Sequence, residues 1–299
     1  MWERIMFGMI NPQFLLEMRQ MADDEDVHID YTCAQILGQR LEQEDRYLVV
    51  NHIYGMLAVV CDGHGGYWTA DDVILNVAKF VNEEYEAVCR KVDRLENLTV
   101  ALEKQVMRKV CKRLHQMTKR DESGTTLSIV SVRPIQRSEN NKRQLRVVMS
   151  VLGDSPVSLY NGENYVHMPL HAAKYCNRDR ERIERSGVGY FRRHYVFAKQ
   201  RGMRESPGLA MTRALGDQQL DGVLIRQPSV KCIDVGTTAV VVLGSDGLLS
   251  RDNPRAVKYQ MRSIISQVRE GRAAQEILKT LGDRNDNATL ITMRFSEET

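Results

Sequence analysis

The sequence has no apolar run long enough to cross a membrane. Its longest purely apolar stretches, residues 56–61 and 239–243, fall far short of the roughly 18 residues that a membrane-spanning helix needs. The N-terminus carries Glu3 and Arg4 and then a mixed segment, so we expect no signal peptide. These absences predict a cytoplasmic or nuclear protein.

Paired cysteines and a strong charge of one sign are also missing. The six cysteines are scattered over 299 residues without a CxxC pair, a pattern that indicates thiols in a reducing compartment. A chain of this length buries enough apolar surface to fold without a disulfide or a structural metal. The 42 basic and 39 acidic residues leave a net charge of +3, too small to predict a nucleic-acid partner.

The chain contains no proline-rich, glycine-rich or low-complexity linker, and only seven prolines. We therefore predict one continuous domain over residues 31–299, preceded by an N-terminal extension, residues 1–30, with an acidic stretch at 23–26.

Apolar patterns along this domain predict strands and helices in separate blocks. Strands are expected at 46–50, 57–61, 126–132, 146–152, 157–160, 239–243 and 289–295, and helices around 69–88, 98–114, 253–268 and 273–281. Thr69 and Asp72 suggest a capping box at the start of the first helix. This order predicts a layered α+β domain rather than strict βαβ alternation.

Acidic residues stand at the ends of five of these strands. They are Glu44 and Asp45 before the first strand, Asp62 and Asp154 and Asp246 after three others, and Asp286 before the last. Taken singly, an Asp-Gly after a strand is an ordinary turn signal. Because neighbouring strands bring their ends together, we expect these carboxylates to converge on one rim.

Converging carboxylates repel one another unless a cation neutralises them. Hard divalent cations take oxygen ligands, and the sequence has no Cys/His cluster with zinc spacing, so Mg²⁺ or Mn²⁺ is the natural choice. Gly63 lets the backbone approach an ion, so that its carbonyl can serve as a ligand. Two such ions about 4 Å apart activate water for an in-line displacement at phosphorus. His64 is then placed to protonate a leaving group, and Arg40 to hold a phosphate by paired hydrogen bonds.

Eight short motifs then occur in an order typical of a known family. They are Gly38-x-Arg40-x-x-x-Glu44-Asp45, Asp62-Gly63-His64-Gly65-Gly66, Ser123-Gly124-Thr125-Thr126, Gly153-Asp154-Ser155, Glu181-Arg182-Ile183 with Gly187, the run 209–217, Ser245-Asp246-Gly247-Leu248, and Asp286-Asn287-Ala288-Thr289. Over roughly residues 30–295 the chain resembles the metal-dependent (PPM-type) protein phosphatases of the 2C family.

The resemblance implies an α+β fold, a β-sandwich of two antiparallel sheets flanked by helices in four layers, αββα. It implies that Asp62 bridges two metal ions, Mg²⁺ or Mn²⁺. Glu44 and the Gly63 carbonyl would hold one of these ions, and Asp246 and Asp286 the other.

Asp45 would act nearby through metal-bound water, and Asp154 with Asp246 would hold a third, weaker ion. Arg40 would bind the substrate phosphate, and His64 would be the general acid.

The implied reaction is hydrolysis of phosphoserine or phosphothreonine in phosphoproteins, by direct attack of a metal-bridging hydroxide without a phosphoenzyme. The implied setting is signalling by protein dephosphorylation, and we expect a monomer without a nucleic-acid partner.

Two alternatives remain open from the sequence. One is a catalytically silent phosphatase fold that serves as a binding or scaffold module, although every expected ligand position is filled. The other keeps the metal site but hydrolyses small phosphate esters. The basic segment 174–204, with ten Lys/Arg against three Asp/Glu, is either a solvated helix and loop or a flap that attracts phosphoproteins, RNA or lipid phosphates.

Overall fold

The computed structural model describes residues 27–52, 55–92, 98–135, 144–199, 207–250 and 253–297, which contain fifteen strands and five α-helices. The strands are β1 Val27–Ile36, β2 Arg46–His52, β3 Gly55–Cys61, β4 Gly63–His64, β5 Gly124–Thr125, β6 Leu127–Ile135, β7 Gln144–Leu152, β8 Val157–Tyr160, β9 Tyr165–His167, β10 Gly189–Arg192, β11 Tyr195–Ala198, β12 Leu215–Gly216, β13 Ser229–Val235, β14 Val240–Gly244 and β15 Ala288–Glu297. The helices are α1 Trp68–Cys89, α2 Val100–Thr118, α3 Asn177–Ser186, α4 Pro254–Arg269 and α5 Ala274–Thr280.

Two five-stranded antiparallel sheets form the centre of the described structure. The first sheet has the strand order β1-β15-β14-β8-β9, and the second has the order β13-β7-β6-β3-β2. Apolar side chains pack between the two sheets, helices α1 and α2 cover the outer face of the second, and α4 and α5 cover the outer face of the first. The predicted four-layer αββα sandwich is confirmed.

Strand β3 shows why the layers form. Successive side chains of a strand point to opposite faces, so Leu57 and Val59 pack toward α1 and α2 while Ala58 and Val60 pack between the sheets. All four are fully buried. A continuous apolar run therefore has a hydrophobic neighbour on each face, as the sequence predicts for a central strand.

A buried polar group joins the helical layer to the second sheet. The Arg133 Nε on β6 donates to Glu103 Oε1 on α2 at 2.7 Å, and the Tyr85 hydroxyl on α1 donates to Glu103 Oε2 at 2.5 Å. All three residues are buried. Because each charge has a partner, this group fixes how α1 and α2 lie on the sheet.

The start of α1 differs from the sequence-based expectation. The helix begins at Trp68 with Tyr67 as its N-cap, and the Tyr67 side chain makes no capping hydrogen bond, so the predicted capping box is wrong. The Thr69 N–H instead donates to Ser123 Oγ at 3.2 Å and its hydroxyl donates to the Ser123 carbonyl at 2.8 Å, which ties the helix to the residue before β5. The Thr69 hydroxyl thus bonds to Ser123, a residue distant in the chain, and does not cap its own helix.

Strand β1 was not predicted from the sequence. It begins at Val27, inside the segment assigned to the extension, and pairs with β15 over ten residues, from Val27 with Glu297 to Ile36 with Ala288. Residues 1–26, with the acidic stretch 23–26, lie outside the described residues.

None of the helices in the described ranges combines the length and hydropathy that crossing a bilayer requires. The six cysteines are thiols, and Cys61 is fully buried at the end of β3.

Candidate active site

The acidic residues come together because the strands that carry them end at the same edge of the sandwich. In the second sheet Arg46 pairs with Cys61, so Glu44 and Asp45 before β2 lie beside Asp62 after β3. In the first sheet Gly244 pairs with Leu290, which places Asp246 after β14 near Asp286 before β15.

Asp45 connects the two sheets at this edge. Its Oδ2 accepts hydrogen bonds from Ser245 Oγ at 2.6 Å and Thr289 Oγ1 at 2.7 Å, and its side chain is buried. Burial raises the pKa of the Asp45 carboxyl to about 6, with smaller contributions from the charges of Asp246 and Asp286, while the two hydroxyls act in the opposite direction.

Asp62 and Asp246 face each other across the sheets. The Asp246 N–H donates to Asp62 Oδ2 at 3.2 Å. Burial raises the pKa of Asp62 well above its ordinary value, and the charges of Asp246, Asp45 and Asp154 raise it further. The pKa of Asp246 is also raised, by burial and by Asp286. The carboxylates of Asp45, Asp62, Asp154, Asp246 and Asp286 therefore interact electrostatically. Carboxylate oxygens are the ligands that a hard divalent cation prefers.

Glu44 is held by backbone and amide contacts. The Gly66 N–H donates to Glu44 Oε1 at 2.6 Å, and the Glu44 N–H donates to Asn287 Oδ1 at 2.8 Å. At Gly63 an added Cβ would stand 2.5 Å from the Glu44 carbonyl oxygen, so only glycine fits there. Gly63 therefore permits a close backbone approach, here between β4 and the chain before β2.

Arg40 lies against two of the predicted metal ligands. Its Nη2 donates to Asp286 Oδ2 at 2.7 Å, and its Nη1 is 3.9 Å from Glu44 Oε2. As the side chains stand, the described part of the chain holds no group of three acidic, His or Cys residues arranged to bind a metal ion. The guanidinium of Arg40 supplies the positive charge beside Asp286 in this conformation.

The residue after Asp154, Ser155, is joined to the same edge through hydroxyl groups. The Asp62 N–H donates to Thr126 Oγ1 at 3.0 Å, and Thr126 Oγ1 hydrogen-bonds to Ser155 Oγ at 2.7 Å. Asp154 itself is buried and is close enough to raise the pKa of Asp62. The structure therefore places all the predicted acidic residues at one rim.

His64 has a partner that the sequence analysis missed. The small sheet β12-β5-β4 places His64 at the end of β4 and Asp217 directly after β12, and His64 Nε2 lies 2.9 and 3.0 Å from the two Asp217 carboxylate oxygens. Asp217 has a positive φ of 51°. An added Cβ at Gly124, on the middle strand, would lie 2.3 Å from both side chains. Asp217 is the last residue of the motif 209–217, and this motif is the sequence feature from which Asp217 could have been identified as a site residue.

The described part of the basic segment, residues 174–199, forms α3 and the hairpin β10–β11. Three of its cations stack on its own rings: Lys174 over Tyr175 at 4.9 Å, Arg180 over Phe191 at 4.6 Å and Arg192 over Phe197 at 4.9 Å. Arg213 anchors α3 by donating to Asp179 at 2.6 and 2.8 Å. Several basic side chains of the segment therefore interact with other residues of the same segment. Residues 200–204 lie outside the described ranges.

Comparison with known proteins agrees with this fold. A family model for protein phosphatase 2C matches residues 35–285. Over 290 residues the chain is 26% identical to the probable protein phosphatase 2C 32 of Oryza sativa subsp. japonica, a match that covers 93% of this chain and 69% of the rice protein. The probable protein phosphatase 2C 11 of Arabidopsis thaliana is 24% identical over 283 residues, covering 92% of this chain and 69% of that protein.

Among solved structures, the serine-threonine phosphatase 2C from Toxoplasma gondii has the same fold. The TM-score is 0.69 at 20% identity, and the match covers 90% of this chain and 95% of that chain. The chain described here belongs to the protein phosphatase 2C family. It is a protein serine/threonine phosphatase, a hydrolase that depends on a divalent metal and acts on phosphoproteins.

Proposed function

We propose that the chain hydrolyses phosphoserine and phosphothreonine by direct attack of water on phosphorus, without a phosphoenzyme. The observation that carries this proposal is the meeting of Asp45, Asp62, Asp246 and Asp286 at one edge, with the pKa of the first three raised by burial and by neighbouring negative charge. Mutually repelling buried carboxylates are costly unless a cation compensates them.

The donor set fits Mg²⁺ or Mn²⁺, because its members are hard oxygen ligands. Asp62 would be shared by two ions, with Glu44 and the Gly63 carbonyl on one, Asp246 and Asp286 on the other, and Asp154 with Asp246 at a third, weaker one. Asp45 would act nearby through metal-bound water. When bound, such ions neutralise the carboxylates and activate water for attack on phosphorus.

Arg40 would bind the substrate phosphate. Its side chain is half exposed, and its planar guanidinium can donate two parallel hydrogen bonds to phosphate oxygens. In the present conformation the same group is paired with Asp286. Release of this ion pair would free the guanidinium for the phosphate and Asp286 Oδ2 for a metal ion.

His64 would donate a proton to the leaving serine or threonine oxygen. Alkoxides are poor leaving groups, so protonation in the transition state lowers the barrier. The Asp217 carboxylate, 2.9 Å from Nε2, holds the imidazole in one orientation beside the carboxylate rim. We assign Asp217 a positioning role through His64.

Phosphate release from a phosphothreonine peptide tests this proposal, measured with Mn²⁺, with Mg²⁺ and with EDTA. Asp62→Asn removes the carboxylate shared by both ions and should abolish release. Asp30→Asn is the matched control, because Asp30 is a half-exposed carboxylate on β1 whose partners are His28 and Arg294. It should leave release unchanged.

Metal-dependent release that is lost in Asp62→Asn alone would support the proposal. Release that persists in EDTA or in Asp62→Asn would contradict the metal assignment. If folded protein released no phosphate with either metal, the binding or scaffold alternative would be favoured. Faster turnover of small phosphate esters than of the peptide would favour small substrates.

A further inference from the structure

Large apolar side chains are exposed next to the candidate active site. Within the described ranges the four most exposed are Leu41 at 99%, Leu75 and Tyr259 at 78%, and Trp68 at 64%. Single exposed apolar residues are normal on a protein surface, but a group of them marks a binding surface. We call Leu41, Trp68 and Leu75 together the apolar strip.

Trp68 is exposed but held in place. Its Cδ1 lies 3.3 Å from the position of a Cβ added at Gly66, and its ring lies 4.4 Å from that of Tyr67. The guanidinium of Arg46 stands 5.1 Å from the centre of the Tyr67 ring and is itself bound by Asp71. An aromatic side chain fixed in this way loses little conformational entropy when a ligand covers it.

A chain of contacts leads from Trp68 to Glu44 and Arg40, and Leu41 is the residue after Arg40 in the sequence. The Gly66 N–H beneath the indole donates to one carboxylate oxygen of Glu44 at 2.6 Å. The other oxygen of Glu44 is 3.9 Å from Arg40, and Leu41 follows Arg40 in the chain. Both exposed side chains therefore adjoin the place where the substrate phosphate would bind.

Leu75 extends the strip along helix α1. It follows Trp68 by seven residues, so at about 100° per residue it lies within about 20° of the same helix face, about 10 Å further along the axis. The exposed Asp72 stands between them on this face. An acidic segment would be repelled there, whereas an apolar segment would cover Trp68 and Leu75.

We propose that the apolar strip binds the substrate polypeptide beside its phosphorylated residue and selects bulky apolar side chains there. The inference rests on the proposed function, since it takes Arg40 as the phosphate site. An extended chain advances about 3.3 Å per residue and covers the distance from Trp68 to Leu75 in about three residues. One apolar residue next to the phosphorylated residue would contact Leu41 or Trp68, and a second about three residues further on would contact Leu75.

The test compares kcat/KM for two sets of phosphothreonine peptides, one with leucine at these flanking positions and one with glycine. Partial burial of a leucine side chain predicts a preference of about five- to tenfold for the leucine peptides. Trp68→Ala should bring this ratio close to one, and Leu75→Ala should lower it for the distal leucine. Tyr259→Ala, equally exposed but on helix α4, is the matched control and should keep the full ratio.

Equal kcat/KM for the two peptide sets, with normal hydrolysis of p-nitrophenyl phosphate, would overturn the apolar strip and leave the proposed function intact. The same holds if Tyr259→Ala lowers the ratio as much as Trp68→Ala. If no substrate is hydrolysed, the proposed function fails.

A binding measurement tests the apolar strip independently of catalysis. A Trp2→Phe variant leaves Trp68 as the single tryptophan, so its fluorescence can follow titration with non-hydrolysable phosphonate analogues of both peptide sets. Tighter binding of the leucine analogue, accompanied by a change in Trp68 emission, would support the strip. Equal affinities, or no binding of either analogue, would overturn it.

Discussion

Replacing Asp45 with asparagine should stabilise the metal-free protein while lowering its phosphatase activity. The side chain is buried between the sheets and accepts hydrogen bonds from Ser245 and Thr289. An asparagine of the same shape can keep the amide oxygen as an acceptor for these hydroxyls. It removes the buried negative charge that Asp246 and Asp286 repel.

The size of this effect follows from the pKa. The carboxyl of Asp45 has an ordinary pKa of 3.8, which the folded protein raises to about 6. At about 1.36 kcal/mol per pKa unit, the difference is about 3 kcal/mol of free energy of unfolding. Because the folded state disfavours the ionised form, the cost is fully present above pH 6, declines between pH 6 and 3.8, and disappears below that range.

Urea unfolding in EDTA at pH 8, pH 6 and pH 4 measures this difference between Asp45→Asn and the unmodified chain. We expect the variant to be more stable by about 3 kcal/mol at pH 8 and by only about 0.5 kcal/mol at pH 4. Activity with Mn²⁺ should fall by about 10- to 100-fold, as for other residues that support metal ligands. Equal or lower stability of the variant at pH 8, or an advantage that does not change with pH, would refute the reasoning.

Three further substitutions test other parts of the structure. Asp217→Asn should leave His64 poorly oriented and lower kcat by about 10²-fold on a phosphothreonine peptide, with a smaller loss on p-nitrophenyl phosphate, whose leaving group needs little protonation; equal losses on both substrates would contradict the positioning role. Arg133→Met leaves the Glu103 carboxylate buried without its cation and should cost about 3–5 kcal/mol in urea unfolding, part of which a second change, Glu103→Gln, should restore. Leu57→Ala removes a fully buried side chain between β3 and the helices and should cost about 2–5 kcal/mol, so a loss below about 1 kcal/mol would mean that this layer repacks.

Much of the secondary structure was predictable because it follows local patterns. The apolar run 56–61 and the spacing of Val73, Val77 and Val81 predict a buried strand and an amphipathic helix, and the structure has β3 and α1 at these places. Strands β1 and β13 were missed because most of their side chains are only partly buried, so no strong apolar pattern marks them. Their pairing partners, β15 and β7, are distant in the chain.

The order of residues along the chain fixes which chemical groups are available and which strand ends carry them. Carboxylates at several strand ends predict a metal-binding rim, because neighbouring strands share their edges. The partners of each group depend on how the chain folds in three dimensions: Arg40 binds Asp286, 246 residues later, and His64 faces Asp217, 153 residues later. Such pairs form when sheets and loops close over long separations, and the raised pKa of Asp45 arises from the burial and charges that this closure creates. Local propensity carries no information about these contacts.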